Sequence, residues 1–115
     1  MQGPIKPRIK VWLEKGGRLA LSDYRVRLLE IIAEKGSLAE GAAELGLSYR
    51  RAWGKIREIE ENLGLKLVHS TAGGAGGGHT RLTAEGERLV AQYVRFRAAL
   101  SQDAEVEFAR SFSER

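Results

Sequence analysis

The stretch from Ser37 to Leu63 constrains this chain more than any other, because it opens a helix, breaks it and opens another within a few residues. Ser37-Leu-Ala-Glu40 has the form of a capping box. In that motif a serine hydroxyl accepts from a first-turn backbone N–H while a glutamate three residues on reaches back. The helix it starts is expected to run to Leu45; Gly46 breaks it, Leu47 packs, and Ser48 caps a further helix that ends at Gly64. Helices joined by so short a turn form a compact αα unit, with a small residue where the backbones approach and an apolar stripe that locks the second helix down. Ala42 is the expected small residue, and Ala52, Ile56, Ile59 and Leu63 recur at the spacing of one buried stripe. Residues 37–63 therefore read as a helix-turn-helix.

The opposite face of the second helix follows from about 100° of rotation per residue. Arg50, Gly54 and Arg57 line the solvent side, with Arg51 and Lys55 on one flank. From Ser48 to Arg57 there are four basic residues and no acid. A helix of that kind presents what a reader of the DNA major groove needs, and a bare glycine in mid-face allows close approach to the groove floor. The plainer alternative is a solvated charged face on a structural helix. Tyr49 and Trp53 fall at the boundary between the two faces: Tyr49 is placed to offer its hydroxyl to a phosphate, Trp53 to pack against the first helix or a neighbouring hairpin. The charge distribution agrees with a polyanionic partner. Against an overall formal charge of +4, residues 101–115 carry four acids and two arginines, so residues 1–100 hold +6.

Around this unit the chain reads as a β-hairpin over residues 8–21, turning at Gly16-Gly17. Trp12 lies on the face opposite the aliphatic one, either partly covered or as a subunit contact. Ser22-Asp23 caps a helix whose apolar face is Leu28, Leu29, Ile31 and Ile32, stopped by Gly36. Residues 66–82 form a second hairpin with a glycine-rich tip, and Thr83 caps a long helix over 84–100. Ser101-Gln102-Asp103 marks a break, after which Ala104, Val106, Phe108 and Phe112 fit either helix or tail. The expected fold is mainly α with small β: one winged helix-turn-helix domain over 1–115, with an extra N-terminal β-hairpin and a long C-terminal helix.

Other chemistry is poorly provided for. The absence of cysteine excludes disulfides and thiolate metal sites, no apolar run approaches a membrane span, and the N-terminus lacks a secretory stretch, so a cytoplasmic protein is expected. His69 and His79 flank the glycine segment but fall short of a metal site, and no metal is expected. Gly73-x-x-x-x-Gly78-His79-Thr80 has the spacing of a phosphate-binding loop with histidine where lysine is required, and the following helix starts only after Thr83. No nucleophile–base–orienter set is discernible, so no enzyme is expected. A protein-interaction module that no longer reads DNA is the alternative, against which stands the retention of Arg50, Arg51, Lys55 and Arg57.

Gly41-Ala42-x-x-x-Gly46-x-Ser48-Tyr49-Arg50-x-Ala52-Trp53, followed by Leu67-Val68, the glycine run and Leu82-Thr83, resembles the N-terminal DNA-binding domain of the ModE family of molybdate-responsive regulators, related to LysR-type winged helices. The resemblance runs from about Leu28 to Tyr93 and implies a transcriptional regulator that binds double-stranded DNA sequence-specifically. Its third helix would contact DNA through Ser48, Tyr49, Arg50, Arg51, Gly54, Lys55 and Arg57, and its wing through Gly76, Gly77, Gly78, His79, Thr80 and Arg81. This sequence departs from the family at Ala75, where a basic residue is usual, and at His79, where a glycine is. It also ends before the family's molybdate-binding part, so no cofactor is expected and any ligand sensing falls to a separate protein. A homodimer is expected as well. Leu89, Val90, Tyr93, Val94, Phe96 and Leu100 make an apolar face wider than one core needs, and LysR-type relatives pair through the helix after the wing.

Overall fold

Among the described residues, each of the four helices begins where a side-chain hydroxyl meets an otherwise unpaired backbone N–H. In the computed structural model, which describes residues 4–71 and 79–113, Ser22 accepts from Arg25 at 3.2 Å, Ser37 from Glu40 at 3.2 Å, Ser48 from Arg51 at 3.1 Å and Thr83 from Gly86 at 2.9 Å. Such caps contribute about 1 kcal/mol each. They open α1 (Asp23–Lys35), α2 (Leu38–Glu44), α3 (Tyr49–Leu63) and α4 (Ala84–Ser111). Two antiparallel hairpins frame them: β1 (Trp12–Lys15) with β2 (Arg18–Ser22), and β3 (Val68–Thr71) with β4 (His79–Leu82).

The first hairpin is shorter than the sequence suggests. β2 ends at Ser22 because that residue caps α1, so residues 8–11 have no strand to pair with. Their carbonyls are used differently: Ile9 and Val11 accept from the side chains of Arg97 and Tyr93. The turn is as expected, with Gly16 and Gly17 both left-handed at φ 61° and 79°, the geometry that suits the twist of a tight hairpin. A bulge sets Leu13 opposite Leu21 but Glu14 opposite Leu19, and lets the adjacent Ala20 and Leu21 both turn inward. Trp12 stays more than half exposed, its indole N–H donating to Glu14.

The core gathers around α1, with Leu28, Leu29, Ile32, Ile56, Ile59, Leu67 and Val68 almost wholly out of solvent. Ala42 is buried as expected, and the residue before it, Gly41, lies close against α1. A methyl group on Gly41 would lie 3.1 Å from Ile32 Cγ1 and 3.3 Å from Ile32 Cα. The second hairpin is tied down at its base. Thr80 N–H donates to the Gly36 carbonyl at 3.1 Å, and Thr83 donates to Leu67 and Lys66 carbonyls through its N–H and its hydroxyl.

The last helix departs furthest from expectation. It runs unbroken to Ser111, through the Ser101-Gln102-Asp103 step where an end at Leu100 was expected. No glycine or proline follows Gly86 in this helix. Ser101, which in other settings competes for backbone groups, instead accepts from Arg97 one turn back at 2.8 Å. Phe108 and Phe112 stack at 4.7 Å between centroids at its far end. At about 1.5 Å per residue the helix is some 42 Å long, and its second half projects beyond the packed body: past Arg97 only Leu100, Ala104 and Phe108 are even half-buried.

Candidate nucleic-acid interface

The cap at Ser48 and the buried stripe of Ala52, Ile56, Ile59 and Leu63 fix how α3 lies on the body. The opposite face then carries Arg50, Arg51, Gly54 and Arg57, all exposed, with Lys55 half-buried on the flank and Tyr49 exposed at the helix start. Gly54 is bare: a methyl group there would meet nothing within 4 Å. Among the described residues, no carboxylate lies within ion-pairing distance of Arg50, Arg51, Lys55 or Arg57.

Two acids on the same helix, by contrast, are committed to the fold. Glu58 pairs with Arg25 at 3.2 Å. Glu60 accepts from the backbone N–H groups of Leu67 and Val68 at 2.7 and 3.2 Å and lies 3.8 Å from Lys66. α3 thus turns those carboxylates toward its own domain and leaves its cations facing water. Two of the cations rest on aromatic rings. The Arg57 guanidinium lies 5.7 Å from the Trp53 ring centroid, and the Lys55 ammonium 5.3 Å from that of Tyr24 on α1. Trp53 also packs against the core, as its boundary position on the helix suggested. Tyr24 was not singled out in the sequence, since only the packing of α1 across α3 brings it to Lys55.

The wing residues separate by face. Strand register sets His69 opposite Arg81 and Thr71 opposite His79, and all four are exposed on one side. Ser70 and Thr80 lie on the other side, with their hydroxyls 3.4 Å apart. Thr80 is therefore removed from the expected DNA contacts: it is buried, and its N–H is engaged by Gly36. His69, which in the sequence stands only as one of two histidines flanking the glycine segment, joins Arg81 and His79 on the exposed side through the strand register. The tip glycines Gly76, Gly77 and Gly78 lie outside the described residues. The Ser48 hydroxyl is occupied as the cap of α3.

On α4 the expected apolar face divides. Leu89 and Val90 pack against the domain's own core, and Tyr93 is within it at 3% exposure. Val94 and Phe96 remain open at 45% and 43%, and Leu100 is half-buried. Tyr93 is withdrawn from the proposed partner surface by a polar cluster that anchors α4. Its hydroxyl donates to Asp23 Oδ1 at 2.5 Å, with the Val11 carbonyl at 3.3 Å. Arg97 binds both oxygens of Asp23, the Ile9 carbonyl at 3.1 Å and Ser101. Hydrogen bonds from Arg97 and then Tyr93 hold the Asp23 carboxyl below its ordinary 3.8, outweighing burial. Burial, followed by the bond to Asp23, pushes the Tyr93 hydroxyl up to about 12. The hydrogen bond to Asp23 raises Arg97 in turn.

Among the described residues no cluster of three or more His, Asp or Glu is placed to hold a metal ion, and no helix is long and apolar enough to cross a membrane.

Comparison with known proteins bears on this arrangement. The family described as bacterial regulatory helix-turn-helix protein, lysR family, matches residues 24–87. The molybdenum transport protein ModE of Azotobacter vinelandii is 41% identical over 90 residues, covering 75% of this chain and 33% of that protein. The DNA-binding transcriptional dual regulator ModE of Escherichia coli K12 is 36% identical over 89 residues, covering 77% of this chain and 34% of that protein. The chain thus spans about a third of the length of these curated relatives. In fold it is similar to the CbnR DNA-binding domain, solved in complex with DNA, with a TM-score of 0.59 and 20% identity over 79% of this chain and 99% of that one.

Proposed function

This chain belongs to the lysR family of bacterial regulatory helix-turn-helix proteins, and from that premise we propose that it binds double-stranded DNA sequence-specifically and regulates transcription, with α3 in the major groove. One observation carries this reading: the face of α3 opposite its buried stripe bears cations that no carboxylate of the described chain neutralises, grouped around a glycine with open space above it. Arginine bonds bidentately to guanine, which suits Arg50 and Arg57 for base reading, while Lys55 and Arg81 suit phosphates. The ModE relatives support the assignment, the Escherichia coli protein being described as a DNA-binding transcriptional regulator. The test is a titration of operator-containing and scrambled duplexes over a range of salt. Lys55→Ala and Arg81→Ala should weaken both duplexes alike and shallow the salt dependence by about one ion each. A salt dependence unchanged by both substitutions contradicts the placement of these residues.

The same reading includes a two-fold dimer. One recognition helix reads only a few base pairs, so such proteins pair to read two half-sites, about 34–36 Å or a multiple apart. The surface now proposed is Phe96 and Leu100, continued along the projecting half of α4 by Ala104, Phe108 and Phe112; Val94, about 160° around the helix from Phe96, falls outside it. It omits Tyr93, Leu89 and Val90, which serve the chain's own core. Sedimentation equilibrium of the wild type and of Phe96→Glu with Phe108→Glu is the check. A dimer that dissociates in the variant is expected; a wild-type monomer at tens of micromolar contradicts it.

A further inference from the structure

The cations of α3 differ in how they are held. Arg50 and Arg51, in the first turn, touch neither a carboxylate nor a ring among the described residues. Arg57 and Lys55 each lie over an aromatic face, within the roughly 6 Å at which a ring quadrupole attracts a cation. The Trp53–Arg57 pair sits one helical turn apart on α3, whereas Tyr24 comes from the first turn of α1. Tyr24 is 43% exposed, and the described hydrogen bonds include none from its hydroxyl, so the ring contact with Lys55 is its identified polar interaction.

We propose that Trp53 and Tyr24 are positioning residues for DNA recognition: their rings hold Arg57 and Lys55 in place before DNA arrives. This rests on the DNA-reading function proposed above. Long basic side chains lose rotamer freedom when they bind, and a side chain already ordered loses less. A ring contact leaves the charge and every N–H donor of the cation available, whereas an ion pair with a carboxylate would neutralise the charge. The arrangement therefore suits a side chain that must be ordered and still meet an anion. Arg50 and Arg51, lacking seats, adapt to the base edges at the helix start. Trp53 is thus assigned to the fidelity of the position read by Arg57, and Tyr24 to the strength of the phosphate contact made by Lys55.

The test uses the whole chain and a randomised duplex pool, from which the wild-type protein selects its preferred sequence; that duplex then serves in anisotropy titrations. Tyr24→Leu, at an exposed site, should weaken binding about two- to fivefold, the range expected of one cation–ring contact. Tyr24→Phe keeps the ring and should restore affinity to within about twofold of wild type. In a Lys55→Met background, Tyr24→Leu should have no further effect. Trp53→Leu should blur the selected sequence at the position that Arg57→Ala also blurs, and leave that read by Arg50 intact; Trp53→Phe should recover it. A purely structural tryptophan would instead lower binding to all sequences alike, in step with thermal stability. Tyr24→Leu binding like wild type, or weakening binding equally with and without Lys55, overturns the proposal. If Lys55→Met and Arg57→Ala are themselves silent, the placement of α3 has failed and not merely the seats. A pool that yields no enriched duplex overturns both.

Discussion

The two long helices use their charged side chains in opposite ways. On α3, Glu58 and Glu60 are tied to Arg25 and to the start of β3, while Arg50, Arg51 and Arg57 meet no carboxylate. On α4 it is the cation that is tied: Arg97 holds Asp23, the Ile9 carbonyl and Ser101 at once, and Tyr93 beside it donates to the same carboxylate. One helix leaves its positive charge available to a partner outside the chain. The other uses one cation, Arg97, to set its own direction against α1 and the N-terminal segment. A count of basic residues would not separate these roles; their partners do.

The contrast is broken most forcefully at Tyr93. Tyr93→Ala removes a ring that is 3% exposed together with its hydroxyl contacts, and should cost about 3–5 kcal/mol of stability, seen as a large fall in melting temperature. Its effect on DNA should follow the loss of folded protein, with an unchanged salt dependence. A well-folded Tyr93→Ala would show that α4 is held by other means.

A smaller effect is expected for Tyr93→Phe, which keeps the ring and loses the hydroxyl, at about 1–2 kcal/mol. Its pH signature is more informative than its size. The Tyr93 hydroxyl is raised from 10.0 to about 12 in the fold, so its contribution is complete below 10.0 and disappears as pH climbs toward about 12. The Asp23 carboxyl is lowered from 3.8, so its contribution is present above that value and disappears as pH falls through its lower folded value. Chemical denaturation across pH should show the alkaline decline vanishing in Tyr93→Phe and the acid decline shrinking, since Arg97 still holds Asp23. Parallel wild-type and variant profiles would contradict the cluster.

The smallest expected effect is at Gly54, where fold and function are opposed. Alanine there meets nothing within 4 Å and improves helix propensity, so Gly54→Ala should stabilise the protein by up to about 1 kcal/mol. If the face approaches a groove floor, the same methyl group should weaken DNA binding. Stabilisation with no loss of binding would move the groove contact away from the middle of α3.

What could be read from the sequence was local. The caps at Ser22, Ser37, Ser48 and Thr83 lie within three residues of the N–H groups they satisfy, and the stripe of Ala52, Ile56, Ile59 and Leu63 is a matter of spacing within one helix. From these the exposed basic face of α3 follows directly. What was missed depends on neighbours distant in sequence. Tyr93 reads as one more apolar residue on a stripe until its hydroxyl is seen 70 positions away at Asp23. Thr80 reads as a wing contact until its N–H is found at Gly36. Polar residues at 101–103 read as a helix end until Arg97 engages Ser101, and Gly41 reads as an ordinary helix residue until it is found against Ile32.

The central claim, that the unpaired arginines of α3 read base edges, is tested most directly by selecting duplexes from a random pool with wild-type protein, Arg50→Ala and Arg57→Ala. Wild type should yield a two-fold-related sequence. Each variant should lose preference at one or two positions, a discrimination of about 1–3 kcal/mol per bidentate contact, and keep the remainder, with melting temperature little changed. If both variants select the wild-type sequence with its full preference, α3 does not read DNA through this face.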